Sequence, residues 1–183
     1  MAQTTRPTRR PRAGLLALAV AAVLAAVVVA ISYWRFWAPA TDAPQSADAI
    51  VILGGEAEES TFPSTLAAQG WAPNLVMSLP NPAQVCPPST GSLNVICFKP
   101  DPKSTRGEAR AIGALARQHG WKRLIIVSGR AQTSRARLRV ARCWNGELLM
   151  VPAPAPSSVG KRLFTVAYEW GATAKALLWQ RSC

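Results

Sequence analysis

The stretch GLLALAVAAVLAAVVVAISYW, residues 14–34, runs for twenty-one positions without a charge. No other feature restricts the fate of the chain so strongly. As a helix at 1.5 Å per residue it reaches roughly 30 Å, the hydrocarbon thickness of a bilayer. Its apolar residues surround the helix instead of forming one stripe, which disfavours burial in a soluble core. Tyr33, Trp34, Phe36 and Trp37 follow, aromatic side chains suited to the boundary between lipid and water. Arg6, Arg9, Arg10 and Arg12 precede the run, in a segment with no acidic residue. The positive-inside rule then predicts a cytoplasmic basic tail over 1–13, a membrane anchor over 14–34 and everything later outside. The competing reading is a cleaved signal peptide. Against it, the run exceeds a usual signal core, and Ala38-Pro39-Ala40 is a poor cleavage site behind bulky aromatics.

Four cysteines, Cys86, Cys97, Cys143 and Cys183, fit that address, because an even number in an exported domain reads as disulfides. Cys86 and Cys97 bracket a proline-rich segment and make the natural first pair, which leaves Cys143 with Cys183. Free buried thiols are the alternative. A zinc site is not expected, since no CxxC occurs and His119 is the only histidine.

The exported part begins with a Pro/Ala/Ser-rich linker that extends to residue 47. DAIVILGG, residues 48–55, is a short apolar run ending in paired glycines, the pattern of a buried parallel strand. Residues 61–69 form a short helix and 74–79 a second strand. Residues 80–103 hold so many prolines and turn residues that a long crosslinked loop is expected. Thr105 and Glu108 fit a capping box that opens a helix to His119, stopped by Gly120. Its apolar stripe is Ala109, Ile112, Leu115 and Ala116. A third strand follows over 123–129, a helix over 133–143, a fourth strand over 147–151 and a last helix over 159–180. Strands alternating with helices predict a doubly wound, three-layer α/β/α sandwich with a mainly parallel sheet over 48–183. Ligands of such sheets bind beyond the carboxyl ends of the strands.

Arginine supplies much of the formal charge of +12. Five lie between Val127 and Cys143: Arg130, Arg135, Arg137, Arg139 and Arg142. On a helical wheel Ala136, Val140 and Cys143 form a core stripe. Arg137, Arg139 and Arg142 are expected on a solvated face. Arg135 differs, because the first turn of its helix lies over the predicted crevice, where a guanidinium suits a phosphate or carboxylate. Arg106 and Glu108 open the preceding helix and are candidates for the same crevice. A nucleic-acid partner is not expected, since no base-reading motif or aromatic interleaving accompanies the arginines.

ADAIVILGG, STRGEA and LIIVSGRAQTSRA, in this order and at these spacings, resemble the bacterial envelope family typified by YdcF, SanA and ElyC. That family is a domain of unknown function with a Rossmann-like fold, and many members carry one N-terminal anchor. The resemblance covers about residues 48–151. It implies a glycine turn at Gly54 and Gly55, a Thr105-x-x-Glu108 element, and a site segment comprising Ser128, Gly129, Arg130, Gln132 and Arg135. Gln132 stands where the family pattern has histidine. Glutamine hydrogen-bonds but does not titrate near neutrality, so it cannot replace an acid–base histidine.

Two functions follow. One is a membrane-anchored protein that binds an anionic envelope ligand, such as a phosphorylated wall precursor, and contributes to envelope and peptidoglycan integrity. The other is a hydrolase or transferase of phosphorylated envelope or lipid-carrier intermediates, with Glu108 as catalytic base and Arg135 on the phosphate. A structural assembly protein is a further alternative. The sequence identifies no cofactor.

Overall fold

A computed structural model describes residues 11–55, 62–154 and 158–183 of the chain. Residues 1–10 of the expected basic tail lie outside the described residues.

The apolar run forms α1 (Pro11–Ser32), followed by a π-helical turn over Tyr33–Trp37. By length and composition, Ala13–Trp37 is a helix able to cross a membrane, and its most apolar window has no buried residue. The strands are β1 (Ala49–Ile52), β2 (Asn74–Ser78), β3 (Asn94–Phe98), β4 (Arg123–Val127) and β5 (Glu147–Met150). They make one parallel sheet in the order β3-β2-β1-β4-β5. The helices are α2 (Phe62–Ala68), α3 (Thr105–His119), α4 (Thr133–Cys143) and α5 (Val159–Leu178).

Burial explains the continuous apolar strands. Ala49, Val51 and Leu53 point to the side of α3 and α4, whereas Ile50 and Ile52 join Leu66 of α2 on the other face. Both faces being covered, no position of β1 is left for a polar residue. Gly113 allows α3 and α4 to approach closely, since a Cβ there would stand 2.6 Å from the Cys143 carbonyl oxygen. Both expected disulfides are formed, Cys86–Cys97 and Cys143–Cys183.

Three expectations are corrected. Residues 94–98 form the edge strand β3 instead of loop: Val95, Ile96 and Cys97 pair with β2 residues Leu75, Val76 and Met77. The α3 cap is Ser104, whose Oγ accepts from the Gly107 amide, so Thr105 is already helical and no capping box forms. The segment before β1 is no free linker. Asp42 exchanges main-chain and side-chain hydrogen bonds with Met150 at the edge of the sheet, and its carboxylate pairs with Arg137. Phe36, one of the aromatics expected at the lipid–water boundary, is buried against Trp170, with ring centroids 5.6 Å apart.

Candidate functional site

A cleft of about 690 Å³ opens beyond the carboxyl ends of β1 and β4. Its walls are the Gly54-Gly55 turn, the starts of α3 and α4, the segment from Pro100 to Ser104, and one side of α5. The topology thus puts the opening where a doubly wound sheet binds ligands.

Glu108 lies at the floor, 4% exposed. Its Oε1 accepts from the Gly54 amide at 2.7 Å, a bond that ties the end of β1 to the first turns of α3. Gly54 has to be glycine for this approach, because a Cβ would meet Pro80 Cγ at 2.7 Å and Glu108 Oε1 at 3.3 Å. Burial pushes the Glu108 carboxyl above its ordinary range; the Gly54 amide, the Ser78 and Thr105 hydroxyls and the Arg135 charge oppose the shift without cancelling it. Ser78, buried at the end of β2, makes no hydrogen bond of ordinary geometry with its Oγ.

Above Glu108 stands Arg135, in the first turn of α4. Its Nε and Nη2 each donate at 2.7 Å to the Glu169 carboxylate on α5, and its Nη1 donates at 2.7 Å to Thr105 Oγ1. Gln132 Nε2 donates to the same hydroxyl at 3.1 Å. Burial works against the Arg135 charge, but the Glu169 hydrogen bonds and charge outweigh it and hold the guanidinium above its ordinary value. Arg135 therefore reaches the cleft already paired.

Arg139 and Arg142 overturn the expected solvated face, whereas the Arg137 side chain stays 40% exposed. Arg139 is 5% exposed and donates to the main-chain oxygen and the side chain of Gln180. Arg142 donates to the carbonyls of Ala176 and Gln180. Arg137 pairs with Asp42. Arg139 and Arg142 thus cap carbonyls at and just beyond the end of α5, which is why a face rich in charge can be packed. Burial, then the charges of Arg142, Arg135 and Arg106, push the Arg139 guanidinium below its ordinary value. Arg106 donates to Ser182 Oγ and the Cys183 main-chain oxygen, so the Cys143–Cys183 bridge fixes the tail that orients it.

Of the residues expected at the site, Gly54, Gly55, Thr105, Arg106, Glu108, Gly129, Gln132 and Arg135 all line the cleft. Ser128 does not; it is buried behind, with Oγ 3.4 Å from Thr133 Oγ1. Arg130 also falls outside the lining, in the 3-10 turn before α4. Glu169, Lys103, Arg139 and Lys175 line the cleft and were not expected there. Glu169 carried a usable signal as the only acidic residue after Glu147. Among the described residues, no group of three His, Cys, Asp or Glu side chains could hold a metal ion.

Five basic side chains line the cleft (Lys103, Arg106, Arg135, Arg139, Lys175) against two acidic ones (Glu108, Glu169). Glu169 is spent on Arg135, and with both carboxylates counted as anions the opening still has a surplus of positive charge. Such an arrangement suits capture of an anion. No family model, no curated protein and no solved structure matches the chain, so the chemistry of the cleft rests on its own residues.

Proposed function

We propose that this chain is a membrane-anchored, extracytoplasmic protein of the kind typified by YdcF, SanA and ElyC, which binds an anionic envelope ligand in the cleft above the sheet. The observation that carries this reading is the excess of cations in the cleft over carboxylates free to neutralise them. Lys103 and Lys175, both exposed, supply charge at the rim, with Arg106 behind them. A phosphate or carboxylate satisfies all three, and its role is in maintaining the envelope and its peptidoglycan. α1 supplies the anchor, and the two disulfides favour an oxidising compartment.

The hydrolase or transferase reading has one observation in its favour, the buried Glu108 carboxyl with its raised pKa at the cleft floor. Against it, Gln132 supplies no titrating partner, and Glu108 Oε1 is engaged by the Gly54 amide.

The two readings separate in one experiment. The full chain in detergent is titrated with sugar phosphates and dicarboxylates by thermal shift, and phosphate release is followed in parallel. Binding without release, retained by Glu108→Gln, is the expected result. Release of phosphate that Glu108→Gln abolishes would establish the enzyme instead.

A further inference from the structure

α5 presents a face that the protein leaves largely uncovered, with only its Trp170 edge meeting Ser32 and Phe36. Its buried side is narrow, formed by Glu169, Thr173 and Ala176. At 100° per residue, Val159, Leu163, Phe164, Trp170, Leu177 and Leu178 occupy an arc of roughly 140° on the other side. All six are exposed, Phe164 to 73%. A contiguous apolar face of this kind is rare on a soluble monomer without a partner.

Three observations fix where the face lies. Trp170 Nε1 donates to Ser32 Oγ at 2.9 Å, and Ser32 lies near the carboxyl end of the candidate span Ala13–Trp37. Phe36 packs edge-on against Trp170, and the Arg162 guanidinium sits 5.8 Å from the centre of the Trp37 ring. The middle of α5 is therefore level with the end of α1. Ser134 Oγ also donates to the Arg35 carbonyl at 3.1 Å, so α4 holds the same exit. A helix level with the end of a spanning helix is at the headgroup boundary.

The charge pattern selects the same occupant. The only acidic residue of α5, Glu169, is buried in the Arg135 pair, so the exposed surface of α5 carries no negative charge. Lys175 and Tyr168 line the cleft, and Lys161, also exposed, lies on the same side of α5 by helical spacing. An apolar face with basic residues beside it is the pattern of a helix lying in a bilayer interface, its bases toward anionic headgroups.

We infer that α5 lies flat in the interface of the bilayer that α1 crosses, with its apolar face among the acyl chains and the mouth of the cleft at headgroup level. This rests on α1 being a spanning helix. It gives the cleft's surplus of positive charge a source of ligand: an anionic group borne on a lipid reaches the rim lysines without leaving the membrane surface.

The test is photolabelling of the full chain, reconstituted in vesicles of phosphatidylcholine and phosphatidylglycerol that contain a phospholipid with a diazirine on its acyl chain. Adducts are mapped by peptide mass spectrometry. The expected result is labelling of α1 and of the peptide containing Leu163 and Phe164, with none on the exposed residues of α3. Phe164→Glu combined with Leu178→Glu should cut α5 labelling several-fold and leave α1 labelling unchanged, since both side chains are exposed and neither supports the core. Label on α1 with none on α5 overturns the inference while the anchor stands. Label on neither helix means that α1 does not span, and the inference falls with it. Crosslinks from α5 to a second copy of the chain in place of lipid would make the face a dimer contact and also overturn it.

Discussion

Arg135 on α4 and Glu169 on α5 face each other through two parallel hydrogen bonds of 2.7 Å, with the two residues 7% and 2% exposed. The pair joins α5 to the sheet-covering helices, and it decides how the cleft must be probed. An arginine so engaged is first a structural residue.

Arg135→Ala should therefore destabilise the protein before it says anything about a ligand. It leaves Glu169 buried without a counter-charge, a defect that costs about 3–5 kcal/mol. Replacing both residues together, Arg135→Met with Glu169→Leu, should recover much of that loss. Unfolding of the full chain in urea by near-ultraviolet circular dichroism checks both, and a double variant no better than the single one would show the pair is not coupled.

Glu108 sets a pH dependence. Its folded pKa is raised above 4.5, so the folded protein keeps this proton to higher pH than the unfolded chain does. The folded state then binds more protons across that window, and the stability Glu108 allows falls as pH rises from the unfolded value through the folded one. Glu108→Gln keeps an acceptor for the Gly54 amide and removes the titration. The variant should gain on the parent as pH climbs from 4 toward neutrality, read as a widening difference in unfolding midpoint. A constant difference across pH would mean that the carboxyl is not desolvated.

Gly54→Ala should cost about 1–3 kcal/mol, because the added methyl meets Pro80 and crowds the Glu108 carboxylate. The same change at Gly55 fails for another reason, its φ of 101°. Thermal unfolding of both variants beside the parent is the check.

Replacing Cys143 and Cys183 together with serine opens a bridge whose residues are 40 apart in sequence. The chain-entropy model puts the loss at about 4 kcal/mol. The tail then no longer orients Arg106, whose Nη2 bonds Ser182 and Cys183. Anion affinity should fall even at temperatures where the variant is folded.

Much of this architecture is legible in the chain. The apolar runs at 48–55 and 123–129 are continuous because both faces of the central strands are covered, and that pattern is local. β3 is not legible in the same way. Asn94–Phe98 sits among prolines, and its strand form depends on pairing with β2 and on the Cys86–Cys97 bridge, both contacts beyond its own sequence. Arg139 and Arg142 read as solvated because their acceptors, the Ala176 and Gln180 carbonyls, are main-chain groups more than thirty residues away. Ser104 and Thr105 are adjacent hydroxyls, and only the extended backbone of Ser104, φ −169° and ψ 165°, tells which one caps α3. The cleft is legible through topology, which places Arg135 over the strand ends. That Arg135 would already be paired required Glu169, thirty-four residues on, which no spacing rule connects to it.

The central claim is that the cleft binds an anion through cations that the protein leaves unneutralised. The most direct measurement is calorimetric titration of the full chain in detergent with inorganic phosphate and with a sugar phosphate, at low and high salt. Lys103→Gln combined with Lys175→Gln is titrated alongside. Two rim charges removed should weaken binding about tenfold or more, and added salt should weaken it in the parent as well. The unfolding midpoint should stay where it is, because both lysines are exposed. Saturable binding that is lost in the variant is the predicted result; no anion binding, or binding equal in parent and variant, would contradict the account.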